Sequence, residues 1–597
     1  MKETSPSLQK FIDSHVCRPA PARPNTTLLF EVVDTTQLPI ANNPSPLQAA
    51  AWGQLLDKYP GPLPQTLTGI IQFGALVGHA GPDRYIVSKN LKSARDAPDI
   101  ITQKIRDDLA LGRMMETTSR GERFISSPLG LVPKHNGKWR VIHHLSFPPR
   151  TSVNDAIDED SAYLAYVKFE AILQMVLDAG KDCIMIKRDM RDAFRMIPIA
   201  PQNYWLFGLQ WEGKYYNERV LPFGLRTAPF LFNLFAEAWE WILRSWTDCK
   251  FIEHFLDDTM AAFPIHLGHQ LQQFKADYSL LCKLLGILCN DDKDDEGTLV
   301  QLLGRLVDSH TFTVSIPQDK VDRIVADTTV AIQRGQMTLL EAQKLAGRFA
   351  FSASAVQLGF VFCRRMWSFV ASFKKEWRPS LRRRIPAPVM EDLLWWRDVY
   401  PVSNGIRMFD DAARDIIHLF ADASVLGMGA FYLANVQSPS CDWKQHAASI
   451  QGSHAFAARL PAWDQEKPFD INVFEITALL EAFIRWSEGW RGKTVMLHTD
   501  SSTAQLGLLK QTLKLPDHNE PLRQLLLHAA RLDIMIVPLH IAGEENELAD
   551  ALSRNKQDVI ANWCPHWQIS LHSLHPPPHG ERPFPSLAEP NMSSSTR

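Results

Sequence analysis

The chain has 597 residues, 22% of them charged and 45% hydrophobic, with a formal net charge of -3. That length gives room for about three or four domains with ample core, and the ordinary charge content excludes a wholly disordered chain. Eight cysteines at scattered positions, with no Cys-x-x-Cys pair, exclude a zinc finger or a disulfide frame and predict reduced thiols in an intracellular protein.

No apolar signal core follows Met1-Lys-Glu-Thr-Ser-Pro6. Residues 1 to about 45 are rich in Pro, Asn and Thr and are expected to be a disordered arm. A helix is expected from Leu47 to Tyr59, inside a helical or ambiguous extension over 46–100. Residues 101–115 read as a helix carrying Ile101, Ile105, Leu109 and Leu111. Ser127–Lys134 and Lys138–His143 read as two strands joined at His135-Asn-Gly137, and Asn-Gly between apolar runs is a hairpin signal. Lys134, Lys138 and Arg140 on this hairpin are unremarkable as surface charges, and their placement ahead of the acids below is what makes them candidates for binding an anion.

Three pieces follow in order, the first and third of them acidic. Ile186-Lys-Arg-Asp189-Met-Arg-Asp-Ala-Phe194 puts a carboxylate at the end of an apolar strand, and Leu221-Pro-Phe-Gly-Leu-Arg-Thr-Ala-Pro229 comes next. Phe255-Leu-Asp257-Asp258 then sits at the tip of a hairpin between Phe251-Ile252 and Met260-Ala-Ala-Phe263. A lone Asp-Asp is usually a solvated turn. Three converging carboxylates repel one another, so such a site is stable when cations fill it. Two Mg²⁺ ions roughly 3.5–4 Å apart are the usual occupants.

Leu285-Gly-Ile-Leu-Cys-Asn-Asp-Asp-Lys293 leads on to Val300–Val307, and Lys293 is either an exposed lysine or a contact to leaving pyrophosphate. From Pro317 to Trp377 the pattern is helical, with Thr338-Leu-Leu-Glu-Ala-Gln as a capping-box start and Phe349–Cys363 as a buried helix too short to span a bilayer. Arg364, Arg365, Lys374, Lys375, Arg378, Arg382, Arg383 and Arg384 face only Glu376 in a stretch interleaved with Trp367, Phe369, Phe373 and Trp377. This is either a solvated helix face or a track for nucleic acid, whose local charge the acids elsewhere cancel.

A second acid set begins after 415. Ile416–Asp422 and Thr494–Asp500 are strands ending in acids, and Val473–Leu480 is a helix carrying Glu475, with Glu481 as the alternate. His540 and Asp550 lie in His540-Ile-Ala-Gly-Glu-Glu-Asn546-Glu-Leu-Ala-Asp550. Period-two alternation puts Phe420 with Asp422, and His498 with Asp500, on one face of each strand, so both strands can aim an acid at a common edge. Residues after about 557 read as a low-order tail.

The three pieces from Ile186 to Asp258 resemble the palm of reverse transcriptases, and the second acid set resembles the ribonuclease H fold. Ser127-Pro-Leu-Gly-Leu-Val-Pro-Lys134, Arg140-Val-Ile-His-His-Leu-Ser-Phe-Pro148 and Ser152-Val-Asn-Asp155 are similar to DIRS-type retrotransposons more than to gypsy-type or retroviral enzymes. Phe255 stands where a Tyr is common, and Phe223 where retroviral versions have Gln. The resemblance implies an α+β right-hand polymerase followed by an α/β ribonuclease H-like domain. Fingers and palm would span 101–310, a helical thumb and connection 311–412, and the nuclease 413–556. Asp189, Asp257 and Asp258 would hold two Mg²⁺ (Mn²⁺ as a substitute), Lys134 and Arg140 would neutralise the triphosphate, and Phe194, Phe223 and Gly224 would border the incoming nucleotide. Asp422, Glu475, Asp500 and Asp550 would hold two further Mg²⁺, with His540 assisting product release or proton transfer unless it is simply structural.

The partners so implied are an RNA template, a DNA primer, the RNA–DNA hybrid and dNTPs. No protease triplet or integrase-like acid set is visible; the DIRS-type resemblance implies a tyrosine recombinase, separately encoded or lost. Two rivals remain: a decayed or domesticated protein that only binds RNA or hybrids, and an RNA-dependent RNA polymerase. The first predicts lost acids, and the second conflicts with a bulky Phe194.

Overall fold

The structure is a computed structural model. It describes residues 6–567 and 571–572, apart from 22–30, 118–122, 134–136, 138, 291–293, 375–377, 379, 409–413 and 461–468. The chain divides into two compact units, Met1–Val314 and Ser315–Arg597.

The first unit is organised by an antiparallel sheet in the order Asp295–Gly297, Ile184–Asp189, Asp258–Phe263, Phe251–Phe255. The Phe251–Phe255 and Asp258–Phe263 strands form the expected acidic hairpin, turned at Leu256 with φ 50°. Alternation sends Arg188, Thr259 and His254 toward the helices Ala228–Trp246 and Gln270–Leu285. There Arg188 lies 4.5 Å from the centre of the Tyr278 ring, Trp239 Nε1 donates to Thr259 Oγ1 at 3.2 Å, and His254 Nδ1 meets Glu240. Ala228–Trp246 starts on Pro229, whose missing N–H costs nothing in the first turn, and almost its whole surface is buried. Phe169–Ala179 ends at Gly180 with φ 89° and packs against both hairpin strands through its buried Ile172, Met175 and Val176.

A five-stranded sheet stands beside this core in the order Tyr85–Val87, Phe124–Ser126, Gly208–Trp211, Lys214–Glu218, Met114–Thr117. Leu129–Pro133 pairs with Trp139–His143 in the register the Asn-Gly signal implies, Pro133 opposite Trp139. The expected arm over 1–45 is corrected within its described part. Pro6–Ser14 is a helix with Leu8 and Phe11 buried, because Phe11 stacks on His15 and packs against Trp246, and Trp241 Nε1 bonds Ala20 O at 2.6 Å.

In the second unit, Thr338 caps Leu339–Ala353 by the expected capping box with Glu341. The single buried helix expected over 349–363 is corrected. It stops at Ala353, since Leu358 takes φ 60° and Gly359 folds back so closely that a Cβ there would lie 2.5 Å from Ala353 Cα. Arg382–Arg384 is a short strand against Gln336–Thr338.

A six-stranded sheet follows in the order Met535–His540, Thr494–Thr499, Ile416–Ala423, Gly427–Leu433, Ala455–Arg459, Leu571–His572, parallel across the first three strands and antiparallel across the next two. The helix Ile471–Trp486 lies against its central strands. Glu547–Ser553 lies so close to Gly427–Leu433 that a Cβ on Gly429 would come 2.4 Å from Leu552 Cβ. The expected low-order tail after 557 is corrected at its start, where Gln557–Trp563 is helical and buries Ile560; residues 573–597 lie outside the described residues.

Candidate functional site

Asp189 ends its strand and pairs in the ladder with Asp258, and directly opposite residues of an antiparallel pair share a face. Asp257 sits in the turn, its carbonyl accepting from Met190 N at 3.0 Å. Asp189 and Asp257 line a cleft of 1040 Å³ together with Phe194, Phe223, Arg140, Arg191 and Asn290. Asn290 Nδ2 donates to Asp189 Oδ2 at 2.9 Å. Its string was in view in the sequence, but its role was not, because a side-chain amide 101 residues away leaves no periodic trace.

Phe194 packs on Phe223 and Phe232 with centroids 5.4 and 5.6 Å apart, and the Arg140 guanidinium lies 6.0 Å from the Phe223 ring centre. Gly224 takes φ 97°, the left-handed region glycine tolerates, 3.0 Å from His143 O at its ideal Cβ position. Asn154 fixes this loop by donating to Gly224 O at 2.8 Å and accepting from Arg226 N at 2.9 Å. Lys104 and Gln103, on the helix Pro98–Ala110, also line the cleft and were not singled out in the sequence. Lys134 and Lys293 lie outside the described residues.

In the second unit, carboxylate oxygens of Asp422, Glu475 and Asp500 all lie within 4.8 Å of one another. Burial, reinforced by Asp422 and Asp500, pushes the Glu475 carboxyl up to about 9. Burial also raises Asp422 to about 6, against a 2.5 Å hydrogen bond from Ser553 Oγ and with Asp500 and Asp550 adding to the rise. Among the described residues, Asp500 Oδ1 is buried without a hydrogen-bond partner.

The fourth expected acid does not join this trio. Burial would raise Asp550, but Arg554 Nε at 2.5 Å and Lys556 Nζ at 2.9 Å hold it below its ordinary value and occupy both its oxygens. Glu481, the alternate, is buried with Arg485 instead. His540 is exposed at the end of the edge strand, opposite Thr499.

The basic stretch is corrected as a continuous track facing a single acid. Arg365 is engaged by Glu391, Asp392 and Glu520, Arg382 by Glu341, Arg383 by Ser372 O and Arg364 by Lys514 O. Apart from Ser372, these partners lie outside the stretch. Arg384 and Lys374 are exposed, and Lys375 lies outside the described residues.

Comparison with known proteins bears on the first unit. Residues 132–294 match the family described as reverse transcriptase (RNA-dependent DNA polymerase). The chain carries a reverse transcriptase domain. Asp189 and the Asp257-Asp258 turn fall inside the matched segment. The Pro-Pol polyprotein of feline foamy virus is 29% identical over 112 residues, 19% of this chain and 9% of that protein. The Gag-Pro-Pol polyprotein of sheep pulmonary adenomatosis virus is 25% identical over 198 residues, 32% of this chain and 10% of that protein. The chain thus spans about a tenth of the length of these relatives. Among solved structures, a foamy viral protease-reverse transcriptase in complex with double-stranded DNA aligns with a TM-score of 0.45 at 17% identity, over 87% of this chain and 84% of that one. The same kind of protein in complex with an RNA/DNA hybrid gives 0.44 at 16% identity, over 83% and 63%. No helix among the described residues is long and apolar enough to cross a membrane.

Proposed function

We propose that the chain is an RNA-directed DNA polymerase with a second, ribonuclease H site, of the kind encoded by DIRS-like retrotransposons. The observation that carries the polymerase half is the ladder pairing of Asp189 with Asp258 beside the Asp257 turn, inside the matched segment. The nuclease half rests on the acid trio, Asp422 and Asp500 toward the ends of adjacent parallel strands and Glu475 on the helix Ile471–Trp486 against them. The DIRS-like subtype rests on the motif wording from Ser127 to Asp155 alone.

Among the described residues, the acids whose carboxylate oxygens close to within 4.8 Å of one another are Asp422, Glu475 and Asp500, and that set suits divalent cations. Glu475 held near 9 and the unpartnered Asp500 Oδ1 are what a carboxylate site looks like when its charge is uncompensated. Asp189, Asp257 and Asp258 would hold Mg²⁺ or Mn²⁺ in one site, and Asp422, Glu475 and Asp500 in the other, with Asp550 joining once Arg554 and Lys556 release it. Bound there, the ions would supply charge neutralisation at phosphate oxygens and activation of the attacking hydroxyl or water.

The chain's own groups position the rest. Asn290 fixes the Asp189 carboxylate, Phe194 walls the nucleotide sugar, and Arg140 and Lys104 offer cations toward the triphosphate. The primer 3′-hydroxyl is thereby held in line with the α-phosphate, and positioning with charge stabilisation accounts for most of the rate. RNA template, DNA primer, hybrid and dNTPs are the partners in this reading. All seven candidate acids are present, so nothing favours a protein that only binds. The test is a pair of variants: Asp257→Asn should abolish DNA synthesis and spare hybrid cleavage, and Asp500→Asn should do the reverse. Equal loss of both activities in either folded variant would refute two separate sites.

A further inference from the structure

Next to the polymerase acids stands an aromatic pair that the reaction as described does not use. Phe255 is the ladder partner of Asp258, which is the partner of Asp189, so the three side chains share one face in a row across the sheet. Tyr166 continues that row. Its ring stacks on Phe255 with centroids 5.1 Å apart and planes 27° from parallel, yet 45% of Tyr166 is exposed. Tyr163, one short step earlier in the chain, is 70% exposed. A tyrosine serving only as packing would bury its ring. These two instead present theirs to solvent.

The segment that carries them is anchored at both ends. Ile157 is buried, its carbonyl accepts from Arg226 Nη1 at 2.8 Å, and Arg226 also pairs with Glu159 at 3.3 Å. At the far end the helix Phe169–Ala179 begins, with the Arg305 guanidinium 4.3 Å from the centre of the Phe169 ring. Lys168, the N-cap of that helix, is exposed. Neighbouring strands lie about 4.8 Å apart, which puts Phe255 roughly 10 Å from Asp189 and Tyr166 one ring further. That is the distance of a few nucleotides behind a 3′ end held at the carboxylates.

We propose that Tyr166, backed by Phe255 and flanked by Tyr163, is a nucleic-acid contact: an aromatic platform on which the template-primer stacks just behind the point of synthesis. Stacking on an aromatic side chain is tolerant of base identity, which suits a polymerase that must move along any sequence. The inference rests on the polymerase reading above.

The experiment measures template-primer Kd, KM for dNTP and kcat for the full chain and for Tyr166→Ala and Tyr166→Phe, using a fluorescently labelled RNA template annealed to a DNA primer. The expected result is a Kd for the Tyr166→Ala variant raised about 5- to 150-fold, with KM for dNTP and kcat close to wild type and Tyr166→Phe behaving as wild type. Unchanged Kd in Tyr166→Ala overturns the platform. So does a loss confined to kcat and KM for dNTP, because that is the signature of a ring that merely supports the Asp257 turn. Failure of the unaltered chain to bind or extend the template-primer would instead strike the polymerase reading itself.

Discussion

Truncating Phe194 tests whether the cleft selects its sugar by shape. The ring lines the cleft five residues after Asp189 and rests on Phe223 and Phe232 at 5.4 and 5.6 Å. A 2′-hydroxyl on the incoming nucleotide would collide with it. Phe194→Val removes the wall without touching an acid, so ribonucleotides should enter while deoxynucleotide incorporation falls less. One misfit group in an apolar site is worth roughly 1–3 kcal/mol, so the ratio of kcat/KM for dNTP over rNTP should fall by about 10- to 200-fold. Full removal of a buried Phe costs about 3–5 kcal/mol; Phe194 is half-buried and Val keeps part of the contact, so about 1–2 kcal/mol of stability is expected here. The assay is single-nucleotide extension with each nucleotide, alongside a melting curve. An unchanged ratio with a sharply lowered Tm would leave Phe194 as core and refute the gate.

Three further outcomes follow from buried groups in the first unit. Arg195 bridges Asp108 at 3.0 Å and Glu218 at 2.7 Å, all three buried, so Arg195→Met should strand two carboxylates and cost about 3–5 kcal/mol, read by denaturant unfolding. His143 is pushed by burial down to about 4 from an ordinary 6.5, so it folds neutral. Its contribution is therefore intact above pH 6.5 and is lost as pH falls toward 4, up to roughly 3 kcal/mol, and His143→Gln should flatten Tm against pH in that window. Asn154→Ala removes the bonds to Gly224 O and Arg226 N, which should cost about 1–3 kcal/mol and raise KM for dNTP while leaving hybrid cleavage unchanged in a coupled assay.

What the sequence made legible was whatever is written in a short period. The Asp189 strand, the Asp-Asp hairpin, the Asn-Gly hairpin, the Thr338 capping box and the acid-tipped strands at Asp422 and Asp500 all depend on residues within a few positions of one another. What it hid depends on partners far along the chain. Asn290 reaches Asp189 across 101 residues, and Arg365 is neutralised by Asp392 and Glu520, so a charge run that reads as open is in part paired. Phe11 turns a proline-rich arm into a packed helix only because Trp246 is there to receive it. Asp550 was within reach of sequence reasoning: Arg554 lies one helical turn on, the spacing at which opposite charges meet.

The most direct measurement is one reaction with two labels, a DNA primer carrying one dye annealed to an RNA template carrying another, incubated with the full chain, Mg²⁺ and dNTPs. The primer should lengthen to the template's end and the template RNA should shorten as it is copied, both changes stopping when the metal is chelated. A primer that stays its starting length while the chain still binds the duplex would contradict it.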